Sequence, residues 1–170
     1  MQVCFARSKH SFPPVVINNK NIEVVKSARL LGLFISDDLK WNAHVVEIVK
    51  KVASRLYLLR QLKRACLDPH ELVGFYTTCI WPVAQSTCET FHNSLPMYLS
   101  HELERLQKRA FRIINPTLSY SEASVALGLP LLSARREELT TRPFDKILQD
   151  LNHTLHHLLP PKNEAAWPSG

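Results

Sequence analysis

The hydrophobic period changes near Trp41. Before it, apolar residues come in short runs. "MQVCFA" is a brief apolar segment at the N-terminus. Two β-branched runs, Val15–Ile17 and Ile22–Val25, flank "NNKN". Asparagine tolerates the left-handed backbone of tight turns, so this pair predicts a β-hairpin. "ARLLGLFI", residues 28–35, is continuously apolar and predicts one further, buried strand. After Trp41 the apolar residues Val45, Ile48, Val49, Val52, Leu56 and Leu59 recur at three- and four-residue steps, the stripe of an amphipathic helix. Asn42 is its predicted N-cap, with Trp41 and Val46 as a hydrophobic staple, and the helix should end near Cys66.

Asp68-Pro69 predicts a second helix start. "HELVGFYTTCIWPVAQSTCETF" continues from there, with a kink or break expected at Pro82. A third helix is predicted from a Ser100 cap to Asn115-Pro116, with Leu103, Leu106, Ala110 and Ile113 or Ile114 on its apolar face. "SYSEASVALGL" is a short fourth helix stopped by Gly128. "PLLSARREELTTRPFDKILQD" supplies a fifth, interrupted at Pro143. The predicted class is α+β: a short antiparallel β segment over 1–41, a mainly helical bundle over 42–150, and a loose tail over 151–170.

The chain has 170 residues, 45% of them hydrophobic, enough to form a core. Its net charge of +6 suits a polyanionic partner, nucleic acid first, although many basic proteins bind none. The candidate phosphate-binding cations are Lys50, Lys51, Arg55, Arg60, Lys63 and Arg64 on the first long helix, Lys108, Arg109 and Arg112 on the third helix, and Arg135 and Arg136 on the fifth. Lys51 and Arg55 share one flank of the first helix. Lys50, Arg60 and Arg64 lie on the other. Alternatively, all of these are solvated faces with their stems along the apolar surface.

Four cysteines, Cys4, Cys66, Cys79 and Cys88, fit no CxxC or zinc spacing and read as buried free thiols in a reducing compartment. Cys88 with His92, and His153 with His156 and His157, supply too few ligands for a metal. No run of about 18 apolar residues is present, and the first ten residues lack a signal-peptide plan. The expectation is an intracellular protein, nuclear or cytoplasmic, that uses no membrane, metal or cofactor.

Asp37 and Asp38 end an apolar stretch, as the metal-binding carboxylates of a polymerase can. A two-metal site needs a further carboxylate from a neighbouring strand, and the only acidic residue upstream is Glu23. Turn formation ahead of a helix is the simpler reading. No catalytic residue is expected, and the chain alone is not expected to be an enzyme.

The same region carries a family resemblance. "LLGLFISDDLKWNAHVVEIVKKVASRLYLLRQLKR" resembles a segment of the reverse transcriptases of non-LTR (LINE-type, jockey-like) retrotransposons, with Leu31, Gly32, Leu39, Trp41 and His44 at the motif positions. "FYTTCIWPVAQSTCETFHNS" and "ELERLQKRAFRIIN" are similar to the two segments that follow, the latter through Leu106, Gln107, Ala110, Arg112, Ile113 and Ile114. The chain departs from the pattern at Trp81, at Ala84–Thr87 and at Phe91.

The resemblance implies the end of a palm followed by a thumb and connection, with the aromatic-Ala-Asp-Asp box belonging upstream of Met1. It implies weak, non-specific binding of an RNA–DNA or DNA duplex by the basic helices. The alternative is a helical interaction domain that self-associates through the surface a missing palm would cover.

Overall fold

The computed structural model describes residues 2–5 and 15–160. It has the α+β organisation expected from the pattern: small antiparallel hairpins, then helices. The first hairpin pairs β1 (Val16–Ile17) with β2 (Lys20–Asn21). Its turn is Asn18-Asn19, both at positive φ, the backbone that a two-residue hairpin turn requires.

The predicted single strand over 28–35 is instead a second hairpin, of β3 (Ser27–Leu30) and β4 (Leu33–Ser36). Leu31-Gly32 is the turn, with φ of 47° and 92°. Leu31 is 92% exposed, so the continuous apolar run is not a buried strand. A leucine in left-handed backbone is strained, and the usual Asn-Gly signature of such turns is absent.

Helix α1 (Asn42–Arg64) buries His44, Val45, Ile48, Val52, Leu56 and Leu59 on one face. Its cap differs from expectation. Trp41 occupies the N-cap position with no side-chain cap bond, and the Asn42 side-chain Oδ1 accepts instead from Tyr98 Oη at 2.6 Å. Val46 is half exposed, so no staple forms. Trp41 packs on the Phe91 ring, 5.7 Å between centroids, and donates through Nε1 to Ser94 Oγ at 2.7 Å.

Asp68 caps α2 (Pro69–Phe75) by accepting from the His70 N–H at 2.8 Å. At Pro82, where a kink or break is expected, a π-helical turn over Tyr76–Ile80 runs directly into α3 (Trp81–Ala84). The wider turn shifts the hydrogen-bond frame before the proline, a common way to absorb a missing donor. The chain breaks later, at Thr87, whose φ is 60°. Beyond it lies α4 (Cys88–Phe91).

Helix α5 (Met97–Ile114) starts three residues before the predicted Ser100 cap, directly after Pro96. It buries Leu99, Leu103, Leu106, Gln107, Ala110, Phe111 and Ile114. With the α1 stripe, Leu72, Tyr76, Ile80 and Phe91, the apolar residues among these make one core. Helix α6 (Tyr120–Ala126) opens with a complete capping box between Ser119 and Glu122 and closes at Gly128, φ 64°.

Helix α7 (Leu132–Gln149) runs without interruption through Pro143. Residues 141–146 are all exposed, so water can satisfy the backbone groups a proline leaves unpaired. The eleven described residues after α7, 150–160, are coil, turns and a short 3₁₀ segment, His156–Leu158.

Candidate nucleic-acid interface

The cations of α1 and α5 occupy different environments. On α1, Arg55 is partly buried and donates through Nη1 to the Cys79 carbonyl at 2.7 Å, which ties α1 to the π-helical turn. Lys63 donates to the Ile114 carbonyl at 3.2 Å. That contact places a positive charge on the C-terminal end of α5, where carbonyls lack partners. Lys50 pairs with Glu47 at 3.1 Å. Lys51, Arg60 and Arg64 are exposed. At 3.6 residues per turn, however, Lys51 lies about 180° around the helix from Arg60. The pair singled out from the sequence, Lys51 with Arg55, is therefore not a free phosphate clamp, because Arg55 is committed to the fold.

On α7 the two candidate arginines are also committed. Arg135 pairs with Glu138 at 2.6 Å and lies over the Trp81 ring. Arg136 is wholly buried and donates to Ser100 Oγ at 3.0 Å. Burial lowers its pKa, opposed by nearby Glu104.

On α5 the picture reverses. His101, Arg105, Lys108, Arg109 and Arg112 are all exposed. Their spacing puts them within about 100° of one helix face. Arg105 pairs with Glu102. Among the described residues, Lys108, Arg109 and Arg112 have no carboxylate at ion-pair distance. Arg105, Lys108, Arg109 and Arg112 together line one shallow groove. Lys108 and Arg112 also flank an adjoining hollow of about 240 Å³, formed with Phe111, Leu118, Ser119 and Tyr120.

Two further α5 residues, Gln107 on the far side and Glu104 at the edge of the strip beside Lys108, tie the helix to its neighbours. Gln107 accepts from the Leu132 N–H at 2.6 Å and from Tyr120 Oη at 2.6 Å, and donates to the Pro130 carbonyl at 2.9 Å. Glu104 accepts from the Ser133 N–H at 3.0 Å and from Tyr120 Oη at 2.7 Å. These two side chains cap the start of α7, which has no side-chain cap of its own. Burial, and then the hydrogen bond to Glu104, raise the Tyr120 pKa, so the phenol stays protonated as a donor. Nothing in the local sequence marks Glu104, Gln107, Leu118 or Tyr120 as neighbours. Tertiary packing of α5, α6 and α7 brings them together.

The motif residues around Trp41 are structural. Leu31 and Gly32 make a turn, and Leu39 takes φ 54°. Asp38 accepts from Ser36 Oγ at 2.6 Å and from the Lys40 N–H at 3.0 Å. These bonds hold its carboxyl below the usual range and mark it as a turn former. His44 Nε2 lies 3.1 Å from Thr87 Oγ1, and its ring meets Phe91 edge-on at 5.0 Å. Burial and, secondarily, the charge of Lys51 lower the His44 pKa.

Of the four cysteines, Cys88 is buried, Cys4 and Cys79 are partly exposed and Cys66 is exposed, so the expectation of four buried thiols holds for Cys88. Burial pushes its thiol up to about 11. Among the described residues no three His, Cys, Asp or Glu side chains gather as a metal site. Among them, too, no helix is long and apolar enough to cross a membrane.

Over residues 41–81, from Trp41 through α1 to Trp81, the chain is similar to a family described as alkylated DNA repair protein alkB homolog 8, N-terminal. That finding overturns the reverse-transcriptase resemblance and the retrotransposon and polymerase attributes that came with it. The segment holding Trp41, His44 and the long basic helix matches a different family. Physically, the motif residues form a tight turn, a left-handed leucine and an aromatic junction onto a helix. The match covers 41 of 170 residues and stops short of α5. No curated protein and no solved structure matches the chain.

Proposed function

We propose that this chain binds nucleic acid through its phosphates, without reading sequence, and that the exposed face of α5 is the contact surface. The supporting observation is the strip of Lys108, Arg109 and Arg112, aligned on one helix face with no carboxylate neutralising it. Arg105 extends the strip at one end. From His101 to Arg112 the strip rises through eleven residue steps, roughly 16 Å at 1.5 Å per residue, long enough to follow several phosphates. Contacts of this kind position a protein on a nucleic acid and carry no sequence information. The net charge of +6 adds long-range attraction.

Fluorescence anisotropy tests this reading, using the full chain with an RNA–DNA hybrid and two DNA duplexes of unrelated sequence. Similar affinities that fall steeply with salt are expected, because each phosphate neutralised releases condensed counterion. No binding by the folded chain at low salt would defeat the reading.

A second reading has its own observation. Phe144, Leu148, Leu151, Leu155 and Leu158 are all exposed and recur at alternating four- and three-residue steps, from α7 into the segment after it. Phe144 and Leu148 lie on α7 and the three leucines in the turns and 3₁₀ segment after it, so this exposed apolar cluster suits self-association without a continuous helical seam. A dimer that forms with rising concentration, and is indifferent to salt in sedimentation velocity, would favour it.

A further inference from the structure

We infer that the hollow beside the α5 strip takes one unstacked base, so that the ligand of this surface is single-stranded nucleic acid in preference to duplex. The inference rests on the phosphate-binding reading and adds the ligand class.

The geometry has three parts. First, Lys108 and Arg112 line both the cationic groove and the 240 Å³ hollow, so a strand whose phosphates follow the strip passes the mouth of the hollow. Second, the hollow's walls are unlike the strip. Leu118 and Tyr120 are partly exposed there, above the buried ring of Phe111. Its size lies just below the roughly 300–1,000 Å³ of small-ligand clefts, which suits one base and not a longer segment.

Third, the aromatic wall is held in place. The Tyr120 hydroxyl donates to Glu104 and Gln107, and its ring packs on Phe111 at 5.6 Å. A fixed ring beside a cationic track is the arrangement that binds single strands: a basic groove follows the backbone while bases meet π-faces. In a duplex the base faces are already stacked on one another and cannot enter.

The test compares three probes of equal length by anisotropy with the full chain: a pyrimidine single strand, the same strand with abasic sites throughout, and the duplex. The abasic strand keeps the phosphates and removes the bases. The single strand is expected to bind about tenfold tighter than the abasic strand, in the range that one base–aromatic contact supplies. It should also bind tighter than the duplex. Leu118→Ala, checked for an unchanged circular dichroism spectrum, should reduce the difference between normal and abasic strands while leaving abasic binding as it was. Lys108→Ala should weaken all three probes. Equal affinity for normal and abasic strands, or a duplex bound as tightly as the single strand, would overturn the inference while leaving phosphate binding intact. Absence of binding to every probe would remove both.

Discussion

Helices α1 and α5 look alike in the sequence: each is long and amphipathic and carries several lysines and arginines. In the fold they differ in what those charges do. On α1 the cations that approach other elements are used up, Arg55 on the Cys79 carbonyl and Lys63 on the Ile114 carbonyl. Of the remaining exposed ones, Arg60 and Arg64 share a face, and Lys51 lies on the opposite side of the helix. On α5 the cations align on the face opposite the core, and among the described residues three of them have no carboxylate at ion-pair distance. The contrast teaches that a count of basic residues does not locate a binding surface. What matters is whether each charge already has a partner and whether the free ones share a face.

The largest effect that would sharpen this contrast concerns the far side of α5. Gln107→Leu removes a side chain that serves the Leu132 N–H, the Pro130 carbonyl and Tyr120 Oη at once. Each buried polar group left without a partner costs about 1–3 kcal/mol, so a loss of about 3 kcal/mol or more is expected in urea unfolding. A loss under about 1 kcal/mol would show that α5 is not braced as described.

Next comes Arg55→Ala, which breaks a charged hydrogen bond between α1 and the π-helical turn. The expected cost is about 1.5–3 kcal/mol, read from the same experiment. Arg112→Ala on α5 should stay within about 0.5 kcal/mol, as for exposed sites without partners. Equal costs at the two positions would erase the distinction between committed and free cations.

A pH effect follows from the junction that positions α1. The pKa values of His44 and His92 are lowered, mainly by burial. Their unfolded forms therefore bind a proton more readily than their folded forms. The stability they contribute is full above the unfolded value near 6.5 and is lost as pH falls from there towards the folded values. At the other end, the Cys88 thiol is raised to about 11 from 9.0, so stability should decline again as pH rises from about 9 to about 11. Thermal melts across this range should show a plateau between the two declines. In His44→Gln the acid-side decline should be shallower. An unchanged acid limb in that variant would mean that His44 does not couple protonation to folding.

Much of the helical architecture was legible in the sequence because it depends on local chemistry. The α1 stripe, the Asp68-Pro69 start and the Gly128 stop follow from period and capping alone. The Ser119–Glu122 capping box is equally readable from its S-x-x-E spacing. Elsewhere the tertiary setting decided. Leu31-Gly32 turns where an apolar run suggested a straight strand, because leucine carries no turn signal. Pro143 sits in an intact helix because water surrounds it. Met97, not Ser100, opens α5, and Ser100 instead receives Arg136. For the candidate site, Lys108, Arg109 and Arg112 were visible as cations on one helix. That Arg55 and Arg136 were already spoken for, and that Leu118 and Tyr120 stand beside the strip, depended on contacts between elements far apart in the chain.

The central claim is that free cations on one face of α5, and not basicity in general, make the binding surface. Two triple variants carry the same change in net charge: Lys108→Ala, Arg109→Ala, Arg112→Ala on α5, and Lys51→Ala, Arg60→Ala, Arg64→Ala on α1. Affinity for a DNA duplex is measured against salt for both, with the slope counting phosphate contacts at about 0.9 each. The α5 variant should flatten the slope by nearly three contacts' worth, and the α1 variant by less than one. Equal flattening by the two variants would contradict the claim and reduce the interaction to net charge.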